Sequence, residues 1–203
     1  MDLIERNGFW WPANDDWCHK VIHSELGDLD AAIRLTKGKS VAVQAGGNVG
    51  VWATHLAKRF CKVVTVEPDA TNYECLQRNV PANVAHRKAA FGAEPGFIDL
   101  VTVEGNAGAH YARSGQHIPV VTVDSMGLES CDLLCLDVEG YEPLALRGAE
   151  QTIRRFKPVV MFEEKGLSER YYKIKRDSAQ HWLAALGYVV RDRLRADVLM
   201  TAA

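Results

Sequence analysis

Apolar residues along the chain fall into short continuous or alternating runs, separated by stretches in which they recur at helical spacing. Residues 40–44 (SVAVQ) form a β-branched run that stops at glycines. Over 49–60, Val49, Trp52, Ala53, Leu56 and Phe60 then fall on one helical face. KVVTVEP predicts the next strand, ended by Pro68, and Asp69 is placed to cap a helix through Tyr73, Leu76 and Val80 that Pro81 stops. Residues 83–90 predict a third strand. FIDLVTVEG and IPVVTVD alternate and read as a strand pair inserted after it, separated by the turn-rich GNAGAHYARSGQ. DLLCLDV is nearly continuous, the signature of a central parallel strand buried on both faces. A helix over about 142–156 and a second buried strand, PVVMFEE, follow. The last helix opens at Asp177 or Ser178, passes through Trp182, Leu183 and Leu186 and stops at Gly187. YVVRDRLRADVLMTA then closes the chain as two strands around a turn near 195–197.

This alternation predicts an α/β protein: a mostly parallel sheet, helices on both faces and a C-terminal antiparallel hairpin at the edge. Ligands of such sheets bind beyond the carboxyl ends of the strands, at the switch point. Residues 1–38, with Phe9, Trp10, Trp11 and Trp17, precede the first strand and are expected to form a helical or lid segment, leaving 39–203 as the domain proper. The length of 203 residues suits one domain, and 47% hydrophobic with 25% charged residues excludes disorder and coiled coil. No apolar run reaches the ~20 residues of a membrane span, and the first residues lack the pattern of a signal peptide. A net charge of −2 excludes a broad electrostatic grip on nucleic acid. The five cysteines are odd in number and scattered, so they read as reduced thiols and the expected location is cytoplasmic. Cys131 and Cys135 would stand about 13 Å apart along one strand, too far for one bridge or one ion.

The segment VAVQAGGNVG, residues 41–50, sets a glycine turn between a strand and a helix, where backbone N–H groups can approach a ligand closely. A dinucleotide fingerprint requires GxGxxG, yet the chain reads GGNVGV from Gly46, with Asn48 at the second required glycine. That absence argues against a nicotinamide-dependent oxidoreductase. Gly46 and Gly50 leave GxxxG, the looser turn of a nucleoside held without a pyrophosphate, although a plain strand-to-helix connection fits it too. Glu67 in VTVEPD lies about 20 residues on, where nucleotide-binding units place an acid that accepts from two ribose hydroxyls. A solvated surface acid is the bland reading of Glu67. Together the two motifs suggest an adenosine-bearing ligand whose tail is not a diphosphate.

With CLDVEGYEPLALRGAE and KPVVMFEE added, the sequence resembles the FkbM-type S-adenosylmethionine-dependent methyltransferases, carrying AGGNVG, EPD, DVEGYE with RGAE beyond it, and KPVVMFE in that order. The resemblance implies a Rossmann-like seven-strand methyltransferase sheet, S-adenosylmethionine as cofactor, and transfer usually to oxygen, hence a hydroxyl on a small molecule or glycan. It implies a cofactor site from Gln44, Ala45, Gly46, Gly47, Asn48, Gly50, Glu67, Pro68, Ala90 and Asp137. Gln44 departs from the family, which commonly has an acid there; glutamine offers an amide donor and a carbonyl acceptor. That departure is the one feature favouring a non-catalytic adenosine-ligand-binding module, a partner or regulatory domain. Residues 1–38 match the family poorly and are expected to hold what is particular to the acceptor. Nucleic-acid methylation lacks support, with no NPPY-like or PC-type motif and no basic stripe.

The sulfonium of S-adenosylmethionine is a cation, and strand ends bearing Asp137, Glu139 and Glu163 would meet it with negative potential. Methyl transfer depends largely on positioning two reactants, but an alcohol must still lose its proton to a nearby carboxylate or histidine. Asp137, Glu163 and His110 are the expected catalytic residues, with Glu139, Glu142 and Glu164 also suited. Metal assistance through these carboxylates is the weaker alternative, and no metal is expected. His19 and His23 have the i, i+4 spacing of a zinc pair, but Lys20 stands where the zincin glutamate would be, and a polar helix face is the expectation. His117 shares the central turn region with His110. Arg170, Lys173, Lys175 and Arg176 interleave with Tyr171 and Tyr172 in a connection read as a charged loop with a chance of meeting an anionic or sugar-like acceptor. Arg154 and Arg155 sit where they complement a helix dipole.

Overall fold

The computed structural model describes residues 2–203. The chain runs through β1 (Leu3–Arg6), β2 (Phe9–Pro12), α1 (Cys18–Val21), a 3-10 turn (Ile22–Glu25), α2 (Leu26–Leu35), β3 (Val41–Ala45), α3 (Val51–Ala57), β4 (Lys62–Val66), α4 (Ala70–Asn79) and β5 (Val84–Arg87). Next come β6 (Ala90–Phe91), β7 (Gly96–Val101), β8 (Tyr111–Ser114), β9 (Ile118–Val121), a 3-10 turn (Asp124–Met126) and β10 (Leu133–Leu136). The last part holds α5 (Glu142–Arg147), α6 (Glu150–Phe156), β11 (Val159–Glu163), α7 (Leu167–Tyr172), α8 (Ser178–Ala185), β12 (Tyr188–Leu194) and β13 (Asp197–Ala202).

Seven strands form the main sheet in the order β12-β13-β11-β10-β3-β4-β5. β3 pairs in parallel with β4 on one side and β10 on the other, and β13 runs antiparallel to both its neighbours. The fold is therefore the expected Rossmann-like sheet with its C-terminal hairpin. The chain first builds outward from β3 to β5 and only later returns to lay down β10, so the crevice of the switch point opens above the ends of β3 and β10.

The continuous apolar runs reflect burial on both faces. In β10, Leu133 and Cys135 join the cluster that holds Leu29 of α2 and Leu56 of α3, while Leu134 and Leu136 join the one that holds Leu146, Ile153 and Leu183 of α5, α6 and α8. β11 divides in the same way, with Met161 on the first face and Phe162 on the second. Each such fully buried side chain contributes about 1.5–3 kcal/mol. Asp69 caps α4 as its position suggests, accepting from the N–H groups of Thr71 and Asn72.

Five expectations need correction. The segment before the domain is not purely helical: it begins with the hairpin β1–β2, in which Asn7 and Gly8 both have positive φ (53° and 77°), the backbone of a two-residue hairpin turn. Asn79 fastens that hairpin to α4, accepting from Trp10 N (2.8 Å) and donating to Trp10 O (2.9 Å). The helix expected over 142–156 is two helices, because the Gly148 backbone packs so closely on Gly92 that a Cβ would collide with the Gly92 carbonyl oxygen. The Gly148 carbonyl is spent on Asp124 N, and Asp124 in turn accepts from Gln151 and Thr152 N–H to start α6. The inserted strand pair is a four-stranded sheet, β6-β9-β7-β8, with β8 inside the turn-rich stretch and Ala90 in β6 rather than in the third strand. The connection read as a charged loop contains the short helix α7. Cys131 lies just before β10, not in it, and it and Cys135 are buried free thiols.

Candidate functional site

A cleft of about 770 Å³ opens at the switch point, floored by the ends of β3, β4 and β10 and roofed by the small sheet through Ala90, Phe91, Ile98, Leu100 and Ala112. The glycine turn forms its inner edge. Gly46 has φ +83°, and a Cβ there would collide with the Asp137 carbonyl oxygen; a Cβ at Gly47 would meet Leu76 and Thr65. Only glycines let this backbone pass between β10 and α4. Gly50, at φ +95°, is the N-cap of α3, and Ala45 is a fully buried residue of β3 behind the turn.

Glu67 is buried at the end of β4, not solvated. Its two carboxylate oxygens accept from Asn48 N (2.7 Å) and Asp69 N (2.8 Å), which joins the glycine turn to the start of α4. Burial pushes its pKa up to about 8, although these N–H groups pull the other way. Gln44 spends its amide locally: Nε2 donates to Gly46 O (2.9 Å) and Oε1 accepts from Thr65 Oγ1 (3.3 Å). The substituted position thus holds the turn in place and still lines the cleft, together with Pro68, Ala90 and Asp137.

The opposite rim is acidic. Asp137, Glu139 and Glu163 each bring one carboxylate oxygen within 4.8 Å of the others. Burial, then Glu163 and Glu139, hold the Asp137 carboxyl well above its ordinary range, and burial with Glu163 brings Glu139 to about 7. Asp137 and Glu139 line the cleft; Glu163 does not, but faces the adjoining hollow and pairs with Lys165. Glu142, buried at the start of α5, accepts from Val138 N (3.0 Å) and Gly140 N (3.2 Å), so it fixes the loop that carries Glu139. Glu164 pairs instead with Arg193 (3.3 Å).

His110 lines the cleft on the far wall, its buried Nδ1 without a hydrogen-bond partner and 3.9 Å from Asp69. His117 is remote from it, exposed and bonded to Asp99 (2.7 Å). His19 and His23 build no chelate: His19 Nδ1 is bonded to Asp15 (2.8 Å), and neither joins a convergence of three ligating side chains among the described residues. Arg154 bonds Glu150 within α6, consistent with its place in the last turn. The tyrosines of α7 pack inward, Tyr171 stacked on Tyr111 (3.9 Å) and Tyr172 edge-on to Tyr141 of the cleft wall (5.1 Å).

The sequence did not single out Asn72, Trp52 and Ile22 as site residues. Asn72 Oδ1 and Trp52 Nε1 are buried in the cleft wall without a partner, and such groups call for a polar ligand. Asn72 Nδ2 holds Ala107 O (2.8 Å), while Asp15 accepts from Ala107 N (3.0 Å), so the N-terminal segment and α4 clamp the same loop against the cleft. Ile22 reaches the cleft from that segment. Only the helical spacing of Trp52 and the Asp69 cap beside Asn72 were visible in the sequence.

Residues 44–192 match the Methyltransferase FkbM domain. The methyltransferase FkbM of Methylobacillus flagellatus KT superposes with a TM-score of 0.56 at 18% identity, over 81% of this chain and 43% of that one, so the chain spans less than half the length of that protein. The precorrin-6y C5,15-methyltransferase of Geobacter metallireducens GS-15 has a TM-score of 0.55 at 13% identity, covering 98% of this chain and 94% of that one. SMU.1697c, a putative methyltransferase of Streptococcus mutans in complex with SAH, has a TM-score of 0.53 at 11% identity, covering 89% and 97%. These three share the fold. No curated protein matches the chain. The match over residues 44–192, on a sheet with the switch-point cleft described above, places the chain in the FkbM methyltransferase domain family.

Proposed function

We propose that the chain binds S-adenosylmethionine in the switch-point cleft and transfers its methyl group to a hydroxyl oxygen of a small molecule or glycan. The observation that carries this reading is the convergence on one cleft of a glycine turn, the buried acceptor Glu67, the partnerless Asn72 and Trp52, and an acidic rim. Gly46, Gly47 and Asn48 leave room for the ligand against the turn, with Gln44, Ala45 and Gly50 shaping it. Glu67 retains lone pairs beyond the two N–H groups it accepts, and can take ribose hydroxyls. Pro68, Asn72 and Ala90 also line the cleft.

When bound, S-adenosylmethionine supplies an electrophilic methyl on a positively charged sulfur. The acidic rim of Asp137, Glu139 and Glu163 would favour that charge. The roof and floor exclude water and hold the acceptor in line, which is where most of the rate comes from in such a transfer. Glu163 acts through Lys165, and His110 on the far wall orients the acceptor. Residues 2–38 form a lid through Ile22 and the Asp15 clamp. Gln44 braces the turn through Gly46 and Thr65, which supports a retained cofactor cleft in either a catalytic or a non-catalytic chain. Among the described residues no helix is long and apolar enough to cross a membrane, and the five cysteines are free thiols, which supports the cytoplasm as the working compartment.

Calorimetry with S-adenosylmethionine, S-adenosylhomocysteine and NAD in parallel tests the cofactor. Saturable heat with the first two and none with NAD is expected; binding of NAD alone would overturn the reading. Methyl transfer from labelled S-adenosylmethionine to a panel of sugars and hydroxylated metabolites tests the acceptor class, and label found only on nitrogen or carbon would overturn the oxygen assignment.

A further inference from the structure

Glu139 is the least explained residue of the acidic rim. Its φ of +52° is left-handed, a conformation that is unfavourable for a non-glycine residue and persists only where the surroundings enforce it. The surroundings are specific. Glu142 holds the N–H groups on either side of it, from Val138 and Gly140. Gly140 is pressed so close to the α7 backbone that a Cβ would stand 2.6 Å from the Leu167 carbonyl carbon. The loop is thus pinned from two directions, and Glu139 is the side chain it turns into the cleft.

The other candidate proton acceptors are placed differently. Glu163 pairs with Lys165 and faces the adjoining hollow. His110 stands by Asp69 on the α4 side, next to the Glu67 end of the cleft. Asp137 sits directly on the glycine turn, its backbone N–H bonded to Ala45 O (3.2 Å) and its backbone carbonyl against Gly46, so its carboxyl, which also lines the cleft, starts from the end of β10 and not from the pinned loop. Resting on the methyltransferase reading above, we propose that Glu139 is the catalytic base: it faces the methyl-bearing sulfur and takes the proton of the acceptor hydroxyl. The O–H electron pair forms the new O–CH3 bond as the S–CH3 pair returns to sulfur, leaving a neutral thioether, a methyl ether and a protonated Glu139 that loses its proton to water. With its value at about 7, raised by burial and by Glu163 and Glu25 against the opposing Lys165, Glu139 suits this exchange near neutral pH.

Proton linkage tests the placement without a known acceptor. S-adenosylmethionine and S-adenosylhomocysteine share their adenosine and amino-acid groups and differ in the sulfonium charge, so the extra protons released by the former report carboxyls that face the sulfur. Titrations at pH 7 in two buffers of different ionisation enthalpy should show about half a proton more released with S-adenosylmethionine. Glu139→Gln should abolish that difference and keep S-adenosylhomocysteine affinity within about twofold. A difference that persists in Glu139→Gln and disappears in Asp137→Asn would overturn the proposal while leaving the cofactor reading intact. Absence of heat with either ligand in the wild-type protein would instead overturn the cofactor reading itself, and this proposal with it.

Discussion

The two sides of the cleft are built from carboxylates, yet they are held in opposite ways. On the β4 side, Glu67 is fixed by backbone: two N–H groups at 2.7 and 2.8 Å, a glycine turn with no room for a Cβ, and a helix capped by the neighbouring Asp69. On the side of β10 and β11, Asp137, Glu139 and Glu163 face one another, with Lys165 as their nearest cation and one residue at positive φ. The first arrangement is dictated by shape. The second stores like-charge repulsion that a bound cation would relieve, because opposite charge within a few ångströms favours the ionised form. On the function proposed above, a neutral sugar-like group would meet the geometric end of the cleft and a positive charge the electrostatic end.

The sharpest break in the comparison is at Gly46. A valine there would force its Cβ into the Asp137 carbonyl oxygen at a backbone φ of +83°, so both sides of the cleft would move together. We expect at least about a 100-fold loss of S-adenosylhomocysteine affinity, equivalent to about 2.7 kcal/mol, with a lower melting temperature. Normal binding by Gly46→Val would show that the turn is only a connection. Next in size is Glu67→Ala, which removes a buried acceptor and leaves the Asn48 and Asp69 N–H groups unsatisfied. Affinity should fall by about 1.5–3 kcal/mol, read by calorimetry on a variant whose circular dichroism is unchanged. Binding equal to wild type would take Glu67 out of the site.

The contrast between the two sides also separates what the sequence reveals from what it hides. The backbone-held side is local: SVAVQ, the glycines, EPD and the Asp69 cap are contiguous, and their reading needed only periodicity and turn chemistry. The charged side is assembled from distant segments. Glu139 is uncommon only because Glu142 and α7 pin its loop, and Glu163 turns away because Lys165 takes it. Likewise β8 sits in a stretch rich in glycine and polar residues and exists because β7 supplies its hydrogen bonds and Tyr171 stacks on Tyr111. The break at Gly148 comes from the approach of Gly92, which no helical pattern records. The hairpin turn at Asn7–Gly8 is different: Asn-Gly is a strong local signal for a two-residue turn and is legible in the sequence alone.

A third prediction uses pH. Burial lifts Glu67 and Glu142 to about 8, and Glu139 and Asp197 to about 7, above the ordinary carboxylate value near 4. A carboxyl that binds its proton more tightly in the fold than in the unfolded chain stabilises the fold fully below its unfolded pKa, and that contribution is lost as pH rises through its folded value. Asp15, Asp30 and Asp99 are shifted downward and act the other way, but only near and below pH 4. The melting temperature at low ionic strength should therefore decline between about pH 5 and 8. S-adenosylmethionine should restore more of it at pH 8 than at pH 6, and S-adenosylhomocysteine should show little such preference. A melting temperature flat across this window would mean that burial does not raise these carboxyls.

The smallest effect sharpens the comparison most finely, because it alters charge on one side and leaves the other untouched. Lys165 pairs with Glu163 and draws Glu139 downward, yet its own side chain is 49% exposed, so its removal should cost little stability. Lys165→Met keeps the apolar stem and deletes the ammonium. Without that cation, Glu139 holds its proton to higher pH, and the pH at which S-adenosylmethionine releases more protons than S-adenosylhomocysteine should move upward. Affinity for S-adenosylhomocysteine, set by Glu67 and the glycine turn, should stay within about twofold of wild type. The measurement is the two-ligand proton-release profile from pH 6 to 9. A downward or absent displacement would show that Lys165 does not act on Glu139, while a large loss of S-adenosylhomocysteine affinity would show that the two sides of the cleft are not separable.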